Sequence, residues 1–337
     1  MTNKLGKQSL RFASPPVITS TGTAVGPFEA QGPLKDDFDF CYRDEMAGEK
    51  SFEKAERRLM YQACNIALGK QHIPNDQVDY LFGGDLLNQI ISAGFNARDF
   101  GIPFFGIYGA CSTSVEGLIL ATITLSGGFG NLALITTSSH NSTAERQFRY
   151  PTEYACQRKP YSQWTVTGAG AAVLSSSGNG PKITTATVGK VADMACKDPL
   201  NMGAAMAPAA AATLAQHFSD TGRNPEFYDL ILTGDLGKVG HEMTLEWCRN
   251  QYQLDLGPNY QDCGLLIYDQ NNPQVHAGGS GCGCAAITVY GHIYKRMMNG
   301  ELKKILVAAT GALHSPISCQ QGENIPCIAH AVSLEMP

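Results

Sequence analysis

The chain has 337 residues, 43% apolar and only 16% charged, with a net charge of −5. So low a charge fraction excludes disorder and implies extensive burial, and the acidic balance leaves no electrostatic footprint for nucleic acid. No run reaches the roughly 18 consecutive apolar residues of a membrane span. The polar, basic stretch 1–11 has no apolar segment after it and does not read as a secretory signal. The eleven cysteines are odd in number, scattered, and set among apolar neighbours, as at Cys64 and Cys248. They point to reduced thiols in a cytoplasmic protein rather than to a disulfide framework. The length exceeds what one core ordinarily serves, so two domains or a duplication is expected.

In chain order, Phe52, Leu59, Met60, Ala63, Ile66 and Ala67 recur at helical spacing and predict an amphipathic helix over 52–68, ended at Ile73-Pro74. Residues 78–82 read as a short buried strand closed by Gly83-Gly84-Asp85. An apolar run then stops at Gly109-Ala110, and Cys111-Ser112-Thr113-Ser114 leads into a helix over 115–125. A cysteine at that place meets unpaired backbone N–H groups and the positive end of the helix dipole, which favour a thiolate. Gly127-Gly128 breaks the helix, a strand follows at 132–136, and another at 166–174. In that last strand Gly168 and Gly170 mark a place where a second backbone could approach closely.

The second half repeats this order. An Ala-rich helix is predicted over 204–218, and Asp229-Leu230-Ile231-Leu232-Thr233-Gly234-Asp235-Leu236 echoes Asp79-Tyr80-Leu81-Phe82-Gly83-Gly84-Asp85-Leu86. The stretch Gly278-Gly279-Ser280-Gly281-Cys282-Gly283-Cys284 opens a helix to about Met298, followed by an Asn299-Gly300 break and a strand at 304–309. Aligning the strands sets Cys111 opposite Gly283. The long period suits a pseudo-symmetric α/β pair, divided at 1–180 and 181–337, with mixed or parallel sheets covered by helices. Asp85 and Asp235, at equivalent strand ends, are expected to cap the segments that follow them.

Gly109-Ala110-Cys111-Ser112-Thr113-Ser114 resembles the nucleophile elbow of the thiolase fold shared by thiolases and ketoacyl-synthase condensing enzymes. Thr167-Gly168-Ala169-Gly170-Ala171-Ala172-Val173-Leu174 resembles the Gly-rich strand that closes their first half. The resemblance implies an α/β, thiolase-like fold of two pseudo-symmetric halves in an αβαβα layering. Over the whole chain, including Pro15-Pro16-Val17-Ile18, Gly311-Ala312-Leu313-His314-Ser315-Pro316 and Glu323-Asn324-Ile325-Pro326-Cys327, the sequence resembles the stage V sporulation protein AD family of spore-forming bacteria. That resemblance implies a thiolase-like protein that binds dipicolinic acid or its calcium chelate and supports its uptake into the developing spore. It also implies partners among the other stage V sporulation A membrane proteins, a cytoplasmic place at the inner spore membrane through those partners, a homodimer as in thiolases, and no cofactor.

A condensing enzyme needs a base or donors and an oxyanion hole beside its thiol. The ketoacyl-synthase III pattern carries a His just after the strand matching 230–232, where this chain has Thr233-Gly234-Asp235-Leu236. Its Asn would fall near Val275-His276-Ala277, where there is none. Catalysis through Cys111 as an acyl-transfer nucleophile is therefore the alternative, and ligand binding the expectation. The candidate ligand-binding residues are Cys111, His140, His276, Cys282 and His314. Each has a plainer alternative as a buried small residue or an ordinary loop histidine. Cys282-Gly-Cys284 lacks the usual zinc spacing, so no metal is expected. A planar dianion asks for backbone N–H groups or cations and a flat apolar wall. Arg146, Arg149, Arg158 and Lys159 could reach over such a pocket or stay solvated.

Overall fold

The computed structural model describes residues 3–148 and 158–337. Its centre is two five-stranded sets. The first comprises β1 (Val17–Val25), β2 (Tyr80–Asp85), β3 (Phe104–Gly106), β4 (Leu132–Ser139) and β5 (Gly168–Ser175), in spatial order β1-β5-β4-β2-β3. The second comprises β6 (Lys182–Thr187), β7 (Leu230–Thr233), β8 (Tyr260–Asp262), β9 (Lys304–Ala312) and β10 (Cys327–Glu335), in order β6-β10-β9-β7-β8. Each set has the same pattern: the two pairs nearest β1 or β6 are antiparallel, and the two nearest β3 or β8 are parallel. The sets meet where Lys182 pairs with Val17. The duplication expected from the sequence is thus present strand for strand.

Helices divide the molecule into layers. Helices α1 (Phe52–Gly69) and α2 (Ile91–Phe100) cover the outer face of the first set, and α5 (Met202–Thr221) and α6 (Gly237–Tyr252) cover that of the second. Between the sets run α3 (Thr113–Ser126) and α7 (Cys282–Ile287), the latter continued by a π-helical turn and a last turn ending at Met298, and a short α4 (Asn141–Phe148) follows β4. Helix α3 touches strands of both sets, and so gives the αβαβα order. Its buried residues, among them Val115, Leu118 and Leu125, join the central core with Ile135, Leu174, Ile287, Val307 and Val332. A helix packed on both sides needs apolar residues all round, which is why this stretch shows almost no polar face.

Local chemistry explains the element ends. Ser51 caps α1, its side chain accepting from the Lys54 N–H at 3.4 Å. Gly101 and Gly222 close α2 and α5 in the left-handed conformation. The two glycines of β5 serve the close approach expected of them: a Cβ on Gly170 would lie 2.8 Å from the backbone of Ala286 in α7. Several strands run past their predicted ends. β2 includes Gly83-Gly84-Asp85, and β4 reaches Ser139, because pairing with neighbouring strands carries polar and glycine residues along in the ladder. Among the described residues no helix is long and apolar enough to cross a membrane.

Candidate functional site

Cys111 sits in a tight 3₁₀ turn, Ala110–Ser112, immediately before α3. Ala110 holds φ at 51°, a conformation that L residues adopt only when surroundings enforce it. The enforcement is local. The Ser112 hydroxyl donates to the Gly109 carbonyl at 2.7 Å, and the Thr113 hydroxyl donates to the Ala110 carbonyl at 2.6 Å. From the other half, β9 presses against the turn: a Cβ on Gly311 would lie only 2.0 Å from the Gly109 carbonyl oxygen. Cys111 therefore lies at the junction of the two halves.

Beside it is a narrow cavity of about 50 Å³. Tyr108, Cys111 and Phe148 line it from the first half, and Met202, Ser280 and His314 from the second. A wider recess of about 330 Å³, between the 87–90 loop and Ser315, adjoins it and shares Tyr108, Phe148 and His314 as walls. The rings of Phe148 and His314 are in contact, 5.2 Å between centroids. The His314 Nδ1 also lies 3.2 Å from the Cys319 Sγ on a short helix, Pro316–Gln320. Two-residue strands Trp164–Thr165 and Gly279–Ser280 pair in parallel and bring Thr165 and Ser280 to the cavity wall.

The electrostatics of the turn overturn the expected thiolate. The Cys111 thiol is held well above the ordinary thiol range, first by burial and then by the Asp235 carboxylate and the Cys282 thiol. Helix α3 begins only at Thr113, and burial together with the Asp235 carboxylate acts on the sulfur, so the helix dipole does not decide the charge state. Asp235 is fully buried. It accepts from the Gly281 N–H at 2.9 Å, from the Thr310 hydroxyl at 3.1 Å, from the Ser280 hydroxyl at 3.2 Å and from the Cys111 thiol. Burial raises its pKa to about 6, against the pull of these donors. Its expected role as a cap is therefore corrected. Asp262 instead receives the Leu236 and Gly237 N–H groups, each at 2.9 Å.

The other sequence candidates fall in different places. Cys282 is buried behind Cys111, its thiol donating to the Ser138 carbonyl at 2.9 Å. Burial and the Glu56 and Asp85 carboxylates keep it protonated. Cys284, two residues on, points instead toward Gly279 and Cys263. His140 is not a wall of the cavity. It is buried, its Nε2 2.8 Å from the Glu45 carbonyl while its Nδ1 accepts from the Ser142 N–H, and burial lowers its pKa. His276 is not a wall either. Its φ of 56° turns the chain so that Ala277 bonds to Ser162 and Ser280 is the residue that reaches the cavity.

Of the cations, Arg146 pairs with Glu53 and Arg158 with Glu145, the latter also lying 4.5 Å over the Trp164 ring. Lys159 is exposed, and Arg149 lies outside the described residues. Sequence reasoning missed Tyr108, Phe148 and Met202 as walls and Asp235 as the partner of the thiol. The one available signal for Asp235 was its place after β7, where the ketoacyl-synthase III pattern noted above carries a histidine.

Comparison with known proteins agrees with the fold. Acetyl-CoA acetyltransferase from Syntrophomonas wolfei superposes with a TM-score of 0.63 at 10% identity, over 96% of this chain and 99% of that one. 3-oxoacyl-[acyl-carrier-protein] synthase III from Aquifex aeolicus VF5 gives 0.58 at 14% identity, over 95% and 99%. At these identities the likeness establishes the thiolase-like fold alone. The Stage V sporulation protein AD of Bacillus subtilis (strain 168) is 50% identical over 330 residues, 98% of this chain and 97% of that protein. With the sequence model of that family matching residues 6–335, the chain belongs to the stage V sporulation protein AD (SpoVAD) family.

Proposed function

We propose that the chain serves in sporulation by binding dipicolinic acid, or its calcium chelate, in the cavity beside Cys111, and by passing it to membrane proteins of the same stage V system. The observation that carries this reading is the state of Cys111. A nucleophile needs a thiolate or a base poised to make one. Here burial first, and the Asp235 carboxylate second, hold the thiol protonated, at the wall of a cavity lined by flat rings and hydroxyl groups. Such walls suit a planar heteroaromatic ring bearing polar groups. The family's name supports the sporulation role. The test is calorimetric titration of the folded chain with dipicolinate and, separately, benzoate. Binding of dipicolinate with benzoate far weaker is expected; no heat of binding from folded protein would overturn the reading.

The same reading includes a homodimer. Strand β3 ends the first set, its Phe105 is 50% exposed, and Ile91 and Phe95 of the adjacent α2 are also exposed. An aromatic sheet edge of that kind is a template for pairing with a second copy. Sedimentation of the wild type as a dimer, and of Phe105→Lys as a monomer, would be the expected outcome.

Acyl transfer through Cys111 is the second reading, favoured by the intact elbow with Ala110 at φ 51°. Incubation with acyl-CoA and mass spectrometry of the Cys111 peptide decides it: an acyl adduct supports transfer, and an unmodified peptide leaves binding.

A further inference from the structure

We propose that Asp235 is a positioning residue that couples dicarboxylate binding to uptake of one proton, by releasing the Cys111 thiol and the Ser280 hydroxyl from its own carboxylate into the cavity. The inference rests on the binding reading above and specifies how the cavity accommodates an anion.

The cavity wall carries polar hydrogens on four side chains that turn about a single bond, Tyr108, Cys111, Thr165 and Ser280. Two of them, the Cys111 thiol and the Ser280 hydroxyl, donate to the fully buried Asp235 carboxylate. An ionised Asp235 thus claims two donors that an incoming carboxylate could use. It also repels that carboxylate across one side chain's width of protein. A proton on Asp235 reverses both effects. The carboxyl group keeps its bonds from the Gly281 N–H at 2.9 Å and the Thr310 hydroxyl at 3.1 Å, so its place is fixed. The thiol and the Ser280 hydroxyl are then free to swing and donate to the ligand. No backbone rearrangement is needed, and the balance is simple: one proton moves from solvent to the Asp235 oxygen for each dianion bound.

The surroundings of Asp235 favour this. From the turn before α3 it faces the Cys111 thiol; from α7, the Cys282 and Cys284 thiols; from the end of β8, the Asp262 carboxyl and the Cys263 thiol; from β10, the Cys327 thiol. Glu56 and Asp85 stand beyond Cys282, and Tyr108 beside Cys111. Among the described residues these groups are neutral or acidic, and the basic side chain His314 stands on the cavity wall rather than against Asp235, so the negative charge on Asp235 itself is relieved by protonation rather than by an ion pair. Burial already holds the Asp235 pKa at about 6, which puts the proton within reach near neutral pH.

The test is calorimetry of the full chain with dipicolinate in calcium-free buffers of differing protonation heat. One proton should be taken up per ligand at about pH 7.5, and affinity should fall by about tenfold per pH unit above neutrality. In Asp235→Asn the uptake and the pH slope both vanish. Wild-type binding without proton uptake, or uptake persisting in Asp235→Asn, overturns this inference and leaves the binding reading standing. No binding by folded wild type overturns both. Should Asp235→Asn fail to fold, Ser280→Ala decides: affinity should fall severalfold, by a similar factor from about pH 6.5 to 8.5, with one proton still taken up per ligand, and an affinity equal to that of the wild type overturns the coupling.

Discussion

Asp85 and Asp235 stand at the same point of the two copies, one closing β2 and the other just past β7, and they are used differently. Asp85 accepts the Leu87 and Ala93 N–H groups, both at 2.8 Å, and ties its own loop to α2. In the second half that task has passed to Asp262, which gathers the Leu236, Gly237 and Gly264 N–H groups at 2.9 Å and the Thr233 hydroxyl at 2.8 Å. Asp235 is thereby released from capping and turns across the junction to Cys111 and Gly281. A duplicated fold can free one copy of a structural residue for a site when a neighbouring residue takes over its hydrogen bonds.

The comparison can be broken at its strongest point first. Asp262→Ala orphans three backbone donors in a dry interior and leaves the Thr233 hydroxyl only its weaker partners, and a loss of about 4 kcal/mol is expected in denaturant unfolding, more than for Asp85→Ala. Gly311→Ala drives a methyl group into the Gly109 carbonyl, and about 3 kcal/mol of stability should be lost, with dipicolinate binding impaired because the elbow is displaced.

Next in size is a pH effect. Burial raises the folded-state pKa of Asp262 and of Glu29 to about 7. A raised carboxyl contributes stability that is full below its unfolded pKa and lost as pH rises through the folded value. Unfolding stability should therefore fall between about pH 4.5 and 7, by up to about 1.4 kcal/mol per pH unit for each group, and level off above about pH 8, and Glu29→Gln should remove its share. A midpoint that rises over that window would contradict this account.

The smallest effect separates the paired aspartates directly. The Asp235 carboxylate helps hold the Cys111 thiol protonated, and Asp85 is not among the groups acting on it. Iodoacetamide labelling of Cys111 at mildly alkaline pH should speed up by about tenfold in Asp235→Asn, the equivalent of one pKa unit, and stay within about twofold in Asp85→Asn. Equal rates in the two variants would remove the distinction between the halves.

Much of the fold was legible because it is written twice. The helix at 52–68, the Cys111 helix, the Gly168–Gly170 approach and the echo between Asp79–Leu86 and Asp229–Leu236 all rest on local patterns that survive in the structure. The site was less legible. Cys111 and His314 reach the cavity, but His140 and His276 do not, although all four follow or precede turns at strand ends. Turn position shows where a loop begins and not which way its side chains face. For His276 that was decided by a single left-handed backbone angle, and for His140 by the Glu45 carbonyl.

The sequence by itself determined the class of fold, the duplication and the place of Cys111 ahead of a buried helix, because periodicity, glycine breaks and apolar runs act over a few residues at a time. Only the tertiary structure decided the charge state of that cysteine. Its thiol is governed by burial first and then by Asp235, more than a hundred residues away in the chain. In a dry interior, the cost of burying a thiolate and the nearby carboxylate together outweigh the weak field of a helix end.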